Sequence, residues 1–452
     1  THMVGYVMGM RCRVSTRAAR VRRGCGARAR ADVESPGPAP SPPPRIVLLG
    51  GSGRIGTAAA IHLAKRCPRA HLVLVGRDEQ RGEKARKEVL NEAEPAEISF
   101  LSVDHTDDRA VRSLLSGGVD AVVHTAGPWG GAHPNILEEC INAGVSAYVD
   151  VADPIPFLEE ALALSPSAAE KAGTMALVSA GAFPGLSNLL AMEAAARLGD
   201  DSPVQNLEFN YFTAGLGGSG EVNLAITNQG FGEEVHTLRG GKRAPQLNAG
   251  TDFKTVDFFF KGESDDDREM DMLRRKLGTR SAFAWPFPEV RTVGETLSIR
   301  GDSDVRMSTA PDVWNTILGR LVRVVPRGLW LEPAFSNLLA AFSAPMVRLT
   351  DSFVGETHGI RVDVTGGGDG RSVSSVVHGH ESFRRCVGQS AAEFALDLLE
   401  RSESSGGASF RPGVYTPEML FAGDEPERRE ALLRALTTTE GTFAVKFSKS
   451  KA

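Results

Sequence analysis

Residues 45–56 read Arg45-Ile-Val-Leu-Leu-Gly-Gly-Ser-Gly-Arg-Ile-Gly56, and Thr57-Ala-Ala-Ala-Ile-His-Leu-Ala-Lys65 follows directly. The short apolar run predicts a strand buried on both faces, and the Ala-rich run predicts a helix. Between them the glycines fit two overlapping spacings, Gly51-x-Gly53-x-x-Gly56 and Gly50-x-x-Gly53-x-x-Gly56. A dinucleotide needs glycine here for three reasons: the turn is tight, the backbone must approach the pyrophosphate, and the helix must lie close on the strand. The helix N-terminus then offers free amides and a positive dipole end to the phosphates. Gly50, Gly51, Ser52, Gly53, Arg54, Ile55 and Gly56 are the expected cradle.

A second strand, His71-Leu-Val-Leu-Val-Gly76, ends at Arg77, 26 residues after Gly51, where a ribose-reading residue belongs. An acid there would bind the 2′-hydroxyl of NAD. A guanidinium suits the 2′-phosphate of NADP instead, so NADP is expected over NAD, with the adjacent Asp78 as the feature favouring NAD. The plain alternative for Arg77 is a solvated loop cation. A third strand, 98–104, ends at Asp104, placed either to touch adenine or to cap the helix at 108–115. The fourth, 120–125, leads into Thr125, Ala126, Gly127 and Pro128, a turn expected against the nicotinamide ribose. Strands at 146–150 and 175–179 complete six that alternate with helices. The fold class is therefore α/β: an N-terminal Rossmann doubly wound parallel sheet over 45–183.

Several of these segments together resemble the saccharopine dehydrogenase-like (saccharopine reductase-like) oxidoreductase family, in its plant and algal plastid branch. The carrying residues are the cradle, Val103-Asp-His-Thr-Asp107, His124-Thr-Ala-Gly-Pro-Trp129, Tyr148-Val-Asp150 and Gly181-Ala-Phe-Pro-Gly-Leu-Ser-Asn188. Nearer the C-terminus, Gly359-Ile-Arg-Val-Asp-Val-Thr-Gly366 and Val387-Gly-Gln-Ser-Ala-Ala-Glu-Phe-Ala395 also look like the family. The resemblance implies a second, mixed α/β domain over 184–385 that dimerises or covers the substrate, and a C-terminal segment, 386–452, returning to the first domain. It implies hydride transfer to an imine, carbonyl or enoyl small molecule. The segment that saccharopine-forming enzymes carry after the fifth strand is absent; Tyr148-Val-Asp-Val-Ala-Asp-Pro154 stands there, so lysine metabolism is not implied. The competing reading is a nucleotide-binding Rossmann scaffold or assembly protein without turnover.

Short-chain dehydrogenases share the Gly-rich start but use a Tyr-x-x-x-Lys pair. Four residues after Tyr6, Tyr148, Tyr211 and Tyr415 stand Met10, Ala152, Gly215 and Met419, so that chemistry is excluded. Asp150 and Asp153 lie at the carboxyl edge of the sheet, where ligands bind in open α/β folds. Asp150 is the catalytic candidate, with a loop-capping carboxylate as the alternative. His124 and His133 flank the Ala-Gly-Pro-Trp turn. No His/Cys/Asp spacing suits a metal, and hydride transfer requires none. Gly215-Leu-Gly-Gly-Ser-Gly220 reads as a substrate lid or a plain turn.

The 452 residues carry a net charge of −5, but residues 1–31 hold eight arginines and no Asp, Glu or Lys, so the rest carries −13. An acidic body argues against a nucleic-acid binder. No apolar run reaches the ~18 residues of a membrane span. The five cysteines form no CxxC pair, against a disulfide framework. The Arg-rich start with the Pro-rich stretch to residue 44 reads as a transit peptide and linker, for the chloroplast or alternatively the mitochondrion; a disordered basic arm is the other reading. Apolar residues interleaved with Arg320, Arg323 and Arg327 over 313–349 suit peripheral lipid contact. A homodimer interface or core helix is the alternative, favoured because Pro326, Pro333 and Pro345 are expected to break a long amphipathic helix.

Overall fold

Strand β1 (Arg45–Leu49) is the centre of the first sheet, and its Ile46–Leu49 are sealed from solvent. The computed structural model that shows this describes residues 42–199, 203–215, 220–244, 247–261, 267–366, 372–403, 411–424 and 426–451. The expected transit peptide and linker fall outside the described residues up to 41, as do 216–219 of the second Gly-rich loop. Strands β2 (His71–Gly76) and β4 (Ala121–His124) flank β1, both parallel to it. With β3 (Glu97–Ser102), β5 (Ala147–Asp150) and β6 (Met175–Leu177), the sheet runs β6-β5-β4-β1-β2-β3. Helices α1 (Arg54–Arg66), α2 (Glu79–Glu92), α3 (Asp108–Leu115), α4 (Asn135–Ala143) and α5 (Ile155–Ala163) cross between the strands. The chain winds outward from β1 to β3, then returns to the other side at β4. A crevice therefore opens at the carboxyl ends of β1 and β4.

One strand of this sheet escaped sequence reasoning. Gly413–Tyr415 adds a seventh, parallel to β6. Three residues are too few to show a periodicity. The second sheet is mixed and nine-stranded among the described residues. At its heart Val204–Ala214 pairs in parallel with Ser303–Thr309 and antiparallel with Thr357–Gly366. The chain end departs from the expected return to the first sheet. Helix Phe383–Glu403 and strand Gly413–Tyr415 do go back, but Thr442–Lys451 pairs with Ser372–His380 at the edge of the second sheet. Its ten residues alternate apolar and polar only weakly, so nothing local marked them as an edge strand.

The sheets share one interior. A continuous apolar cluster joins Ile46, Leu74 and Val149 to Phe209, Tyr211 and Val362, with Leu186–Ala196 almost wholly buried among them. The Gly181–Asn188 motif builds the entry to this helix. Gly185 has φ +131°, and a Cβ there would lie 2.0 Å from the Gly181 carbonyl oxygen, so only glycine closes the turn. Phe183 stacks on Tyr211 with centroids 4.3 Å apart, and the Tyr211 hydroxyl donates to buried Glu289 at 2.5 Å. Burial pushes the Glu289 carboxyl up to about 8, so it is held protonated at neutral pH.

Helix Phe383–Glu403 crosses α1 at Gly388. A Cβ on Gly388 would meet the backbone, 2.6 Å from the Ile55 oxygen and 2.8 Å from the Ala59 nitrogen. One turn further on, Glu393 accepts from His62 Nε2 at 2.6 Å and Arg66 Nε at 2.7 Å, fixing the crossing with charge. The 387–395 motif is thus the dock for α1.

Pro326 breaks the helical run as expected, but Pro333 and Pro345 do not prevent a long helix. Pro326 separates Asp312–Val324 from Arg327–Leu331, and Pro333 begins a 22-residue helix, Pro333–Val354, at a position where its missing N–H costs nothing. Pro345 lies exposed inside that helix, which continues past the one lost hydrogen bond.

Two outcomes follow for stability. Gly388→Ala forces α1 and its partner helix apart and costs roughly 1–3 kcal/mol in denaturant unfolding; a change within error would show that the crossing tolerates a Cβ. Folded Glu289 keeps its proton up to about 8, whereas in the unfolded chain it loses it at the ordinary glutamate value of about 4.5. Its stabilising contribution is therefore full below about 4.5 and lost as pH rises through about 8. Glu289→Gln removes that loss, so the melting temperature of the variant gains on the parent steadily across this window. A difference independent of pH contradicts the assignment.

Candidate functional site

The crevice holds a cleft of about 220 Å³ lined by Gly50, Ser52, Gly53, Val75, Gly76, Arg77, Val103, His105, Thr125, Ala126 and Gly127. Sequence reasoning had named seven of these: the three cradle residues, Arg77, and the Thr125–Gly127 turn. The other expected cradle members, Gly51, Arg54, Ile55 and Gly56, do not line the cleft, and neither does Pro128.

The cradle is closed by backbone. Gly50 has φ +80°, and a Cβ on it would lie 2.8 Å from the Ala126 nitrogen, pressing the turn away from the cleft. A Cβ on Gly56 would lie 2.2 Å from the Gly50 oxygen, so α1 could not seat on the turn. Helix α1 starts at Gly53, which supplies no side-chain cap, and its first turn has no acidic residue. Its N-terminal amides thus face the cleft uncapped by any carboxylate, the arrangement an anion fits. Thr57 Oγ1 donates to the Gly51 carbonyl at 3.2 Å, and Thr125 Oγ1 to that of Leu49 at 3.0 Å, holding both walls.

Charge at the rim is decided by Arg77 and Asp78. The Asp78 carboxylate accepts from the Arg81 backbone N–H at 3.0 Å as the N-cap of α2. It is committed to the helix, leaving the exposed Arg77 guanidinium as the charged group on the cleft wall. Asp104 sits near Arg77 but outside the lining. Its Oδ1 takes the N–H and hydroxyl of Thr106 at 3.0 and 2.9 Å, and these bonds hold the carboxyl below its ordinary range. Helix α3 is capped by Asp107, so Asp104 closes a turn rather than capping that helix. The wall next to Arg77 is instead His105, whose imidazole pKa is lowered by burial. The sequence offered no periodic or spacing signal for it.

Asp150, the expected catalytic residue, does not line the cleft. Its side chain is fully buried at the end of β5. Oδ1 accepts the N–H groups of Ser179 and Ala152 at 2.9 and 3.1 Å, tying together the loops after β5 and β6. Burial raises its carboxyl to about 6. In this structure Asp150 closes loops. Asp153 behaves differently: it is solvent-exposed, yet desolvation by the surrounding protein raises it to about 6. Glu233 shares this character, raised to about 7 by burial and by the nearby Asp153.

His124 is packing, not chemistry. It is buried, its imidazole is driven down to about 3 by desolvation, and its Nδ1 lies 3.1 Å from the Tyr148 hydroxyl. Trp129 stands edge-on to it with centroids 4.5 Å apart and to Phe157 at 5.2 Å. These rings anchor the far end of the Thr125–Pro128 turn. His133 points away to Glu160, at 2.7 Å. Among the described residues no three His, Cys, Asp or Glu gather as metal ligands.

Residues 46–177 match the family model of the saccharopine dehydrogenase NADP binding domain. No curated protein matches the chain. Among solved structures, a meso-DAPDH mutant from Clostridium tetani with DAP covers 86% of this chain and 98% of its own at 13% identity, with a TM-score of 0.39. A short chain dehydrogenase from Bacillus anthracis covers 30% and 72% at 17% identity and a TM-score of 0.23. An NAD+-bound xylitol dehydrogenase covers 30% and 69% at 18% identity and a TM-score of 0.24. Likenesses of this size carry nothing about activity. The family match and the cradle fall on the same residues, and residues 46–177 are similar to the saccharopine dehydrogenase NADP binding domain.

Proposed function

We propose that the protein is an NADP-dependent oxidoreductase acting on a small imine, carbonyl or enoyl compound. The observation that carries this reading is the pairing of an uncapped, glycine-closed helix N-terminus with Arg77, while the neighbouring acid is diverted into a helix cap. When bound, NADP supplies the hydride chemistry. The chain's own part is to hold and orient. Gly50–Gly56 and the first turn of α1 receive the pyrophosphate, Arg77 pairs with the 2′-phosphate, and the Thr125–Pro128 turn lies beside the ribose. Asp153 is the solvent-exposed carboxyl that follows β5; near pH 6 it changes protonation and so serves as a proton-holding group for the substrate.

The partner at the cleft is a small molecule. The apolar helices over 312–354 provide a surface for peripheral lipid contact or for a second copy. Among the described residues no helix is long and apolar enough to cross a membrane. We further propose the chloroplast as the location, on the acid-free Arg-rich start and the resemblance to the plastid branch.

Calorimetry with NADPH and NADH on the parent, Gly53→Asp and Arg77→Glu tests the cradle. Gly53→Asp places a carboxylate against the phosphates and abolishes binding. Arg77→Glu weakens NADPH by about tenfold or more and leaves NADH nearly unchanged, the size of a lost charge-assisted bond. Equal losses for both nucleotides contradict the 2′-phosphate role. NADPH binding without oxidation on any imine, carbonyl or enoyl substrate of a broad panel assigns the chain to the scaffold reading instead.

A further inference from the structure

Helix α1 and the helix Phe383–Glu403 lie side by side and point the same way. Gly388 packs against Ile55, Ala58 and Ala59 near the start of α1, and Glu393 meets His62 and Arg66 near its end. Both N-termini therefore lie at the cradle end, and neither helix has an acidic residue in its first turn. Two positive dipole ends stand together there. The second helix does not repeat the bare amides of α1, because Ser382 Oγ accepts from the Arg385 N–H at 3.4 Å. What it adds to its dipole is Arg384. That residue stands one turn before Gly388, on the face that packs against α1. Side chains on a helix lean towards its N-terminus, so a long one at 384 reaches past the crossing towards the start of α1.

The surrounding charges agree with that placement. Arg384 Nη2 lies 2.5 Å from Oε1 of Glu356, the residue just before the strand Thr357–Gly366 of the second sheet. Arg54, the first residue of α1, has both as neighbours: burial and the like charge of Arg384 lower its guanidinium pKa, and Glu356 acts in the opposite sense. Arg385, by contrast, is turned away to Glu440. Arg54, Arg384 and Glu356 together leave one positive charge beside the two dipole ends, in a chain that beyond residue 31 carries −13. A planar guanidinium offers a fork of donors that fits phosphate oxygens. We propose that Arg384 binds the nucleotide's pyrophosphate across the start of α1, alongside Arg54, and that Glu356 competes with the phosphates for its guanidinium. The inference rests on the nucleotide reading above and extends it. Arg77 distinguishes NADP from NAD, whereas Arg384 answers to the pyrophosphate that both carry.

Calorimetry with NADPH and NADH on the full chain separates the two arginines. Arg384→Gln weakens both nucleotides by roughly tenfold, the size of a lost charge-assisted bond. Glu356→Gln moves the other way and tightens both by roughly threefold, a gain that no misfolded variant produces. That gain shrinks in the double variant, where the guanidinium that Glu356 competes for is gone. If the parent binds NADPH and Arg384→Gln binds both nucleotides as tightly as the parent, the proposal is overturned and the nucleotide reading stands. A loss confined to NADPH also overturns it, by assigning Arg384 to the 2′-phosphate. A parent that binds neither nucleotide overturns the nucleotide reading and this inference with it.

Discussion

Everything at the cleft depends on how closely α1 can lie against the chain on both of its sides. Beneath it, the Gly50 oxygen occupies the space a Cβ of residue 56 would need. Above it, Gly388 lets the helix Phe383–Glu403 rest on the backbone of Ile55 and Ala59. Gly50 in turn touches the amide of Ala126, so the cradle and the turn after β4 are set by one contact. The helix Phe383–Glu403, more than three hundred residues from the cradle in sequence, thereby fixes the direction of its amides. His62, Arg66 and Glu393 lock the same crossing electrostatically.

An acidic protein that holds an anionic cofactor must manage its carboxylates, and the structure does so by committing them elsewhere. Asp78 caps α2, Asp104 closes a turn on Thr106, Asp107 caps α3 and Asp150 joins two loops. None of the four lines the cleft. Arg77 and the positive end of α1 therefore set the local potential against the global charge. Asp153 and Glu233 do reach solvent, and desolvation by the surrounding protein raises both.

The first sheet was legible because parallel strands buried on both faces write continuous apolar runs, as in Val47–Leu49 and Leu72–Val75. The cradle was legible because its glycines answer a steric demand that no other residue meets. What escaped has equally local causes. Gly413–Tyr415 is held by its place beside β6, not by its own pattern. His105 lines the cleft only because the chain after β3 turns inward. Asp150 had the right address at a strand end, but nothing in the sequence tells a carboxylate that faces a ligand from one that accepts two backbone amides. The helix Pro333–Val354 was misread through its prolines, since Pro333 stands where a helix can begin and Pro345 where solvent replaces the lost bond. The 181–188 and 387–395 motifs carried resemblance without a role until the structure showed a glycine turn under Leu186 and a dock for α1.

The most direct test is a structure of the protein with NADP bound. The account predicts the pyrophosphate on the amides that begin α1, the 2′-phosphate against Arg77, and the nicotinamide end beside the Thr125–Pro128 turn, with Asp150 still buried. A nucleotide seated away from the Gly50–Gly56 turn, or its 2′-phosphate facing solvent clear of Arg77, would contradict it.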